Sequence, residues 1–434
     1  MTAEKPRLRE HPVEWVLGLF GDVRAGEAAT VILLALNVFL LLTAYYLLKV
    51  AREPLILLGG GAEVKSYASV GQSVSLIFVA NFYGWLATRV NRITLITYVT
   101  LFFVGNLVVF WLLGMRGVPL GVPFFLWVGI FNIVTIAQFW SFAADTYDEE
   151  AGKRLFPVIG IGSSVGAVAG AWVAGPLIRG RTPFFLMLVA AAILLSTMAV
   201  TYAIHERESR RPTRAHVHAP VERGNAFALV ARDRYLLAFA ILVLVLNYIT
   251  KSGDYVLDRM LLSHAAERAR ALAITKSAYI GQFKAGYFEW INVIGVVMQM
   301  FLVSRIVRYA GLRAALVVVP LASTMGYGAA LIFPVVHVLL VGRVAESSLD
   351  YSLSNTTQQT LWLVTSREAK YKAKQVIDTF FKRAGDTSSA AVVWLGVHFA
   401  FGTRTFLAIN VALSLVWIAL ALWLGRAYER RRVA

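Results

Sequence analysis

The residues able to do chemistry in this sequence are charges set inside apolar runs. One run ends Tyr45-Tyr46-Leu47-Leu48-Lys49-Val50-Ala51-Arg52-Glu53-Pro54, and another ends at Asp145. Further along come Lys251, Asp254 and Asp258, then Lys284 and Glu289. Arg343, Glu346 and Asp350 follow, and last Asp378, Lys382, Arg383 and Asp386. An ionised side chain at mid-membrane costs about 2.5–3.5 kcal/mol on insertion scales, so each needs a partner or a task. Arg343/Glu346, Glu346/Asp350, Asp378/Lys382 and Lys382/Asp386 stand three or four residues apart, so each pair shares a helix face. Together with Glu53 and Arg383 they read as ion pairs, acting as pins between helices or as gates that make and break. The cations Lys49, Arg52, Lys251 and Lys284 read instead as unmatched charges in a polar cavity, where they receive an anionic solute. Gln282 and Asn247 add neutral hydrogen bonds, and Tyr45, Tyr248 and Tyr287 can stack on a flat ring.

Other chemistries find no support. There is no cysteine, so no disulfide or thiolate site. The seven His residues have no ligand spacing, and His216 and His218 sit in a basic loop. No nucleophile stands with a base and no carboxylates form an acid/base pair, so neither an enzyme, a metal nor a cofactor is expected. Gly160-Ile161-Gly162-Ser163-Ser164-Val165-Gly166 has the look of a phosphate loop, but no strand precedes it and it opens an apolar helix. Gly166-Ala167-Val168-Ala169-Gly170 is a GxxxG pattern, whose natural reading is close helix packing.

The elements that position these charges follow from composition. Of 434 residues, 58% are hydrophobic and 15% charged, and the mean hydropathy is +0.65. Soluble domains hold about 45–50% apolar and about 25% charged residues, so the excess needs a solvent other than water. A bilayer core is crossed by roughly 20 apolar residues in a helix. The expected fold is all-α and integral to the membrane, with about twelve helices at 28–49, 66–88, 93–113, 121–146, 156–178, 183–204, 235–254, 274–303, 313–332, 335–353, 373–401 and 405–424. An even number puts both termini on one side. Arg and Lys concentrate in the segments sharing that side, including 205–234 and the tail from Arg430, whereas the other side carries fewer, chiefly between Arg259 and Lys276. The positive-inside bias places both termini in the cytoplasm. It also accounts for the net charge of +17 without nucleic acid. The N-terminus has no signal-peptide core.

Residues 205–234 form the one long Arg-rich polar stretch and divide the helices six and six. The expected organisation is a cytoplasmic segment 1–27, a bundle 28–204, a linker 205–234, a second bundle 235–425 and a tail 426–434. Two pseudo-symmetric six-helix bundles joined in this way resemble the major facilitator architecture. The loop Gly84-Trp85-Leu86-Ala87-Thr88-Arg89-Val90-Asn91-Arg92 is similar to that family's loop signature, with Thr88 where an Asp is usual. Ser304-Arg305-Ile306-Val307-Arg308 occupies the matching place in the second half.

A narrower resemblance rests on longer motifs. Phe139-Trp140-Ser141-Phe142-Ala143 with Lys153-Arg154-Leu155-Phe156-Pro157-Val158-Ile159-Gly160-Ile161-Gly162 resembles the fourth-to-fifth-span signature of the ATP/ADP translocases of plastids and intracellular bacteria. Lys372-Ala373-Lys374-Gln375-Val376-Ile377-Asp378, followed by Arg383-Ala384-Gly385, is similar to that family's eleventh-span motif. Lys49-Val50-Ala51-Arg52-Glu53 matches its basic-x-x-basic-acidic segment, and Tyr351-Ser352-Leu353 also fits. The resemblance implies nucleotide exchange. Several of the family's positive charges are nevertheless lost here. Asp386 stands for a Lys, Asp350 for a basic residue, and Gln358-Gln359 for a Lys-Glu pair, while Thr250 and Asp254 replace an acid and a base. The pattern is that of a divergent bacterial relative.

Three readings stay open. The first is an alternating-access transporter of an anionic, nucleotide-like solute held near the membrane midplane between the halves. In it Lys49, Arg52 and Lys284 bind, and Lys382 with Asp378 switches partners. The second is a proton-coupled carrier using Glu53, Glu289 or Glu346. The third is a non-transporting scaffold or receptor in which the charges are pins. A monomer in the lipid bilayer, with a small anionic solute, is the expected working form.

Overall fold

The computed structural model describes residues 24, 27–87, 89–147, 149–209, 226–366 and 369–433. Most of the expected segment 1–27, the middle of the linker with His216 and His218, and Thr88 lie outside them.

In hydrocarbon each peptide N–H and C=O must find its partner within the protein, which a helix achieves alone. All regular structure among the described residues is helical. Helices α1 (28–60) and α2 (62–87) form one run, Ala28–Ala87, broken at Gly61, whose φ of 78° suits glycine. Then come α3 (Arg92–Met115), α4 (Gly121–Thr146), α5 (Glu149–Gly180) and α6 (Pro183–Ser209). A short α7 (Ala226–Arg232) leads into α8 (Arg234–Ala271). Helix α9 (276–310) begins as Lys276–Val297 and passes through π-helical turns at Met298–Leu302 and Ile306–Ala310. It breaks at Gly311, also at φ 78°, before α10 (Gly311–Ile332). Helix α11 (336–364) carries a π turn at Asp350–Ser354, and α12 (369–398) carries two, at Ala369–Ala373 and Ile377–Phe381. Helix α13 (Thr403–Val433) ends the chain.

Among the described residues, eight helical runs are long and apolar enough to cross a membrane. Two of them, Ala28–Leu76 with 49 residues and Lys276–Ile332 with 57, are each as long as two crossings and contain the glycine breaks. Adding α11 and α12, which charges and π turns interrupt, recovers the expected set of about twelve. The largest difference in boundaries is at α8. Helix α8 runs to Ala271 instead of ending at 254, because Asp258 and Arg259 find partners within the protein and the helix need not stop at the first charges.

The chain divides into two compact units. The first comprises residues 1–55, 75–218 and 281–289, and the second 56–74, 219–280 and 290–434. A stretch of α1–α2 thus belongs with the C-terminal helices, and a stretch of α9 with the N-terminal ones.

Within the first unit, α5 lies directly on α1. Gly162, Gly166 and Gly170 recur every fourth residue, and a Cβ on each would strike the carbonyl oxygens of Ala35, Phe39 and Thr43 in turn. The glycines are therefore a packing seam rather than a phosphate loop, and they hold α1 rigidly. Asn37 of α1 donates to the Thr197 carbonyl at 3.0 Å and to Thr201 Oγ1 at 2.8 Å, which ties α1 to α6. Within the second unit, α8 packs against α12 and α13, and α10 against α11 and α13. Gly326 and Gly342 face each other so closely that a Cβ on either would sit within 2.9 Å of the other's Cα. The Asp233 carboxylate caps α8 through the Tyr235 N–H at 2.9 Å.

Candidate functional site

The first unit holds a ladder of side chains between α1 and residues 281–289. On α1, Tyr45, Lys49 and Glu53 are four residues apart and share one face; Lys284 and Phe288 do the same on α9. The two rows meet in antiparallel order. Lys49 Nζ lies 4.1 Å from the Phe288 ring centre, 4.8 Å from Tyr46 and 5.8 Å from Tyr45. One turn on, Lys284 Nζ stands 3.8 Å from Glu53 Oε2 and 5.3 Å from the Tyr287 ring. Arg52 Nε reaches Glu53 Oε1 at 3.3 Å, and the guanidinium lies 4.6 Å from the Phe125 ring. Glu53 and Lys284 are each 1% exposed. The α9 stretch is pressed on α5 as well: a Cβ on Gly281 would strike Ile178, and one on Gly175 would touch Ala285 at 3.6 Å.

Every cation of this cluster therefore faces an aromatic ring. A ring face attracts a cation through its quadrupole and brings no negative formal charge of its own.

The second unit treats its charges differently. Arg343 is 1% exposed and donates to Asp254 Oδ1 at 2.7 Å and to the Tyr327 hydroxyl at 3.1 Å. It also lies 2.7 Å from Glu346 Oε1. The Gly326/Gly342 contact sets Tyr327 and Arg343 side by side, and Gly253 leaves room for both, since a Cβ there would strike the Tyr327 hydroxyl. Past the Gly61 break, Lys65 pairs with buried Asp258 at 2.7 Å. Glu63 Oε1 accepts from Tyr255 Oη at 3.0 Å, and Arg259 donates to the Phe401 carbonyl at 2.9 Å. On α12, Arg383 reaches Asp386 at 3.2 Å and Ser73 Oγ at 3.3 Å.

The structure brings Tyr45, Lys49, Arg52, Glu53, Lys284 and Tyr287 together in the first unit, with Gln282 half-buried on the same stretch. Tyr248 and Lys251 belong to the second unit. Lys251 is half-buried there and has no ion-pair partner among the described residues.

Several pairings differ from those that spacing suggested. Arg52 and Lys284 are not unmatched; both converge on Glu53. Arg343 does pair with Glu346, but also with Asp254 from another helix. Lys382 pairs with neither Asp378 nor Asp386; Asp378 and Lys382 are exposed, and Arg383 takes Asp386. The π turn at Ile377–Phe381 explains this, since its wider register rotates residue 382 off the face that four-residue spacing assumes. Asp350, itself in a π turn, lies within the fields of Glu346, Lys382 and Arg343. Asp145 pairs with Arg92 at 2.5 Å. Sequence reasoning missed Phe288, Tyr46, Phe125, Tyr327 and Lys65. Only the doublets Tyr45-Tyr46 and Tyr287-Phe288 carried a signal.

Comparison with known proteins accords with this architecture. No family model matches the chain. ADP,ATP carrier protein 2 of Chlamydia trachomatis is 23% identical over 503 aligned positions, spanning 96% of this chain and 92% of that protein. ADP,ATP carrier protein 1 of Chlamydia pneumoniae is 21% identical, spanning 70% and 65%. The chain is a distant relative of these carriers. Solved structures with the same fold include a POT family transporter in complex with 5-aminolevulinic acid, with TM-score 0.65, 12% identity and 96% of this chain and 99% of that one covered. The nucleoside transporter NupG follows with TM-score 0.61, 11% identity and coverages of 93% and 98%. These neighbours place the relative of the carriers in the major-facilitator fold, as a multi-pass membrane protein. Together the comparisons support a membrane transporter.

Proposed function

We propose that this protein carries an anionic, nucleotide-like solute across a bacterial cytoplasmic membrane by alternating access, exchanging one anion for another. One observation carries the reading: Arg52 and Lys284 converge on the single buried carboxylate of Glu53, with Lys49 one turn away on a seat of rings. An arriving anion competes with Glu53 for the two cations, so binding is a change of partner rather than burial of a bare charge. Distant relationship to proteins named as ADP,ATP carriers supports a nucleotide-like solute. The loop charges support cytoplasmic termini, and the working form is taken as a monomer of two six-helix bundles.

The test is uptake of labelled nucleotide into proteoliposomes. Arg52→Ala is expected to lower uptake at least tenfold while the protein still elutes as a folded species. Unchanged uptake removes Arg52 from the site. The burial of Glu53 between two cations favours a second reading, in which it relays a proton. Flux indifferent to an imposed pH gradient excludes that one.

A further inference from the structure

The first unit also holds a polar pocket. A cavity of about 30 Å³ lies among α1, α3, α4 and α6, and Asn37, Thr135, Gln138, Thr197 and Thr201 contribute polar groups to its lining. Rings such as Phe131 and Phe139 stand between them, and no charged side chain is among the described residues that line it.

The hydrogen bonds already made define what is left over. Thr135 donates to the Phe131 carbonyl at 2.6 Å, Thr197 to the Leu194 carbonyl at 2.7 Å and Thr201 to the Thr197 carbonyl at 2.8 Å. Each hydroxyl has committed its proton to its own helix, and its oxygen keeps the capacity to accept. Asn37 spends its amide protons on the Thr197 carbonyl and the Thr201 oxygen. Gln138 is 6% exposed, and its Nε2 has no hydrogen-bond partner among the described residues. Tyr83 interacts with the same side chain but does not satisfy that nitrogen. The lining therefore offers several acceptors and one unpaired donor, and an amide donor left dry is strongly disfavoured.

Size and chemistry together select the occupant. One water needs about 10–15 Å³ of such space and two to four polar partners, so about two waters fit. A water accepts from Gln138 and donates to threonine oxygens, which no apolar filler can do. The amide donor and the lack of a lining carboxylate oppose a cation, and the lack of a lining cation opposes an anion. We infer that this pocket is a hydration site of the first bundle, anchored by Gln138. Its waters link Gln138 of α4 to the threonines of α4 and α6. Through Thr201 and Asn37 they reach α1, the helix that carries Lys49 and Glu53. The inference holds whatever solute the protein carries.

The measurement is X-ray hydroxyl-radical footprinting of the purified full-length protein, read by mass spectrometry, because water held against a buried ring is converted to the radical in place. Phe131 lines the pocket and Phe239 lies in the second unit; both are 0% exposed, so bulk solvent reaches neither. Phe131 is expected to be oxidised at least fivefold faster than Phe239. Equal rates overturn the hydration site. Gln138→Met, close in volume but unable to donate, should cut Phe131 oxidation at least threefold and lower the thermal unfolding midpoint. A variant that folds and keeps the parent's labelling overturns Gln138 as the anchor. A midpoint that holds or rises means that the donor was stranded in a dry pocket, which overturns the site. The comparison of Phe131 with Phe239 in the parent protein decides the question even if the variant does not fold.

Discussion

Two charge clusters, one in each unit of this protein, hold their cations differently. In the first, Lys49, Arg52 and Lys284 lie against ring faces, and Arg52 and Lys284 share Glu53. In the second, Arg343 is enclosed by two carboxylates and a hydroxyl, and Lys65 by Asp258. The helices differ as well. Every π-helical turn among the described residues falls in the second unit, on α9, α11 and α12, whereas α1 in the first is clamped by the glycine seam of α5. A cation on a ring keeps most of its attraction for an anion; a cation inside two carboxylates has spent it. On the proposed function, the cluster on α1 and α9 receives charge, while the Arg343 cluster neutralises its own.

Substitutions can break this contrast. The largest effect is expected from Arg343→Leu, which strands the buried Glu346 and costs about 3–5 kcal/mol. Thermal unfolding followed by intrinsic fluorescence reads it out, and a triple variant that adds Asp254→Asn and Glu346→Gln should recover most of the loss. If the single variant is as stable as the parent, the network is not structural.

Lys49→Met should separate the two roles. Removing a cation from rings costs about 0.5–2 kcal/mol, yet on the proposed function solute uptake should fall at least tenfold. A variant that loses stability like Arg343→Leu but retains transport would reverse the comparison.

The smallest effect belongs at the membrane surface of the second unit, where Arg431 reaches both oxygens of Asp233 at 2.6 and 3.1 Å. Partial burial pushes the Asp233 carboxyl up, but the Arg431 hydrogen bonds and the Tyr235 N–H outweigh it and hold the group below the ordinary carboxylate range. A depressed folded-state pKa adds stability above the unfolded value, and that stability is lost as pH falls through the folded one. Arg431→Ala should therefore cost about 0.2–1 kcal/mol at pH 7, the range of a solvent-screened pair. The difference from the parent should vanish in strong acid, as unfolding curves against pH would show.

Much of this was legible in the chain itself. The helices and their number follow from apolar runs, since a bilayer accepts hardly any other backbone. The i, i+4 spacing of Tyr45, Lys49 and Glu53 put a polar face on α1, and the Arg343/Glu346 pair was readable for the same reason. The Lys382 pairings failed because a π turn changes the register that the spacing rule presumes. Phe125 and Tyr327 escaped notice because isolated aromatics in a membrane helix usually face lipid or core, and nothing local marks the few that meet a cation.

What the sequence alone determined is local: which segments are helices, where charges interrupt them, and which side chains share a face. Those depend on solvent and on the 3.6-residue period, both written along the chain. What only tertiary structure decided is who meets whom. That Glu53 answers to Arg52 and Lys284, and Asp258 to Lys65, depends on the glycines of α5 letting backbones touch and on the break at Gly61, which redirects the helix ahead of Lys65. Electrostatic partnership is a matter of a few ångströms across helices far apart in sequence, a distance that no spacing along one helix encodes.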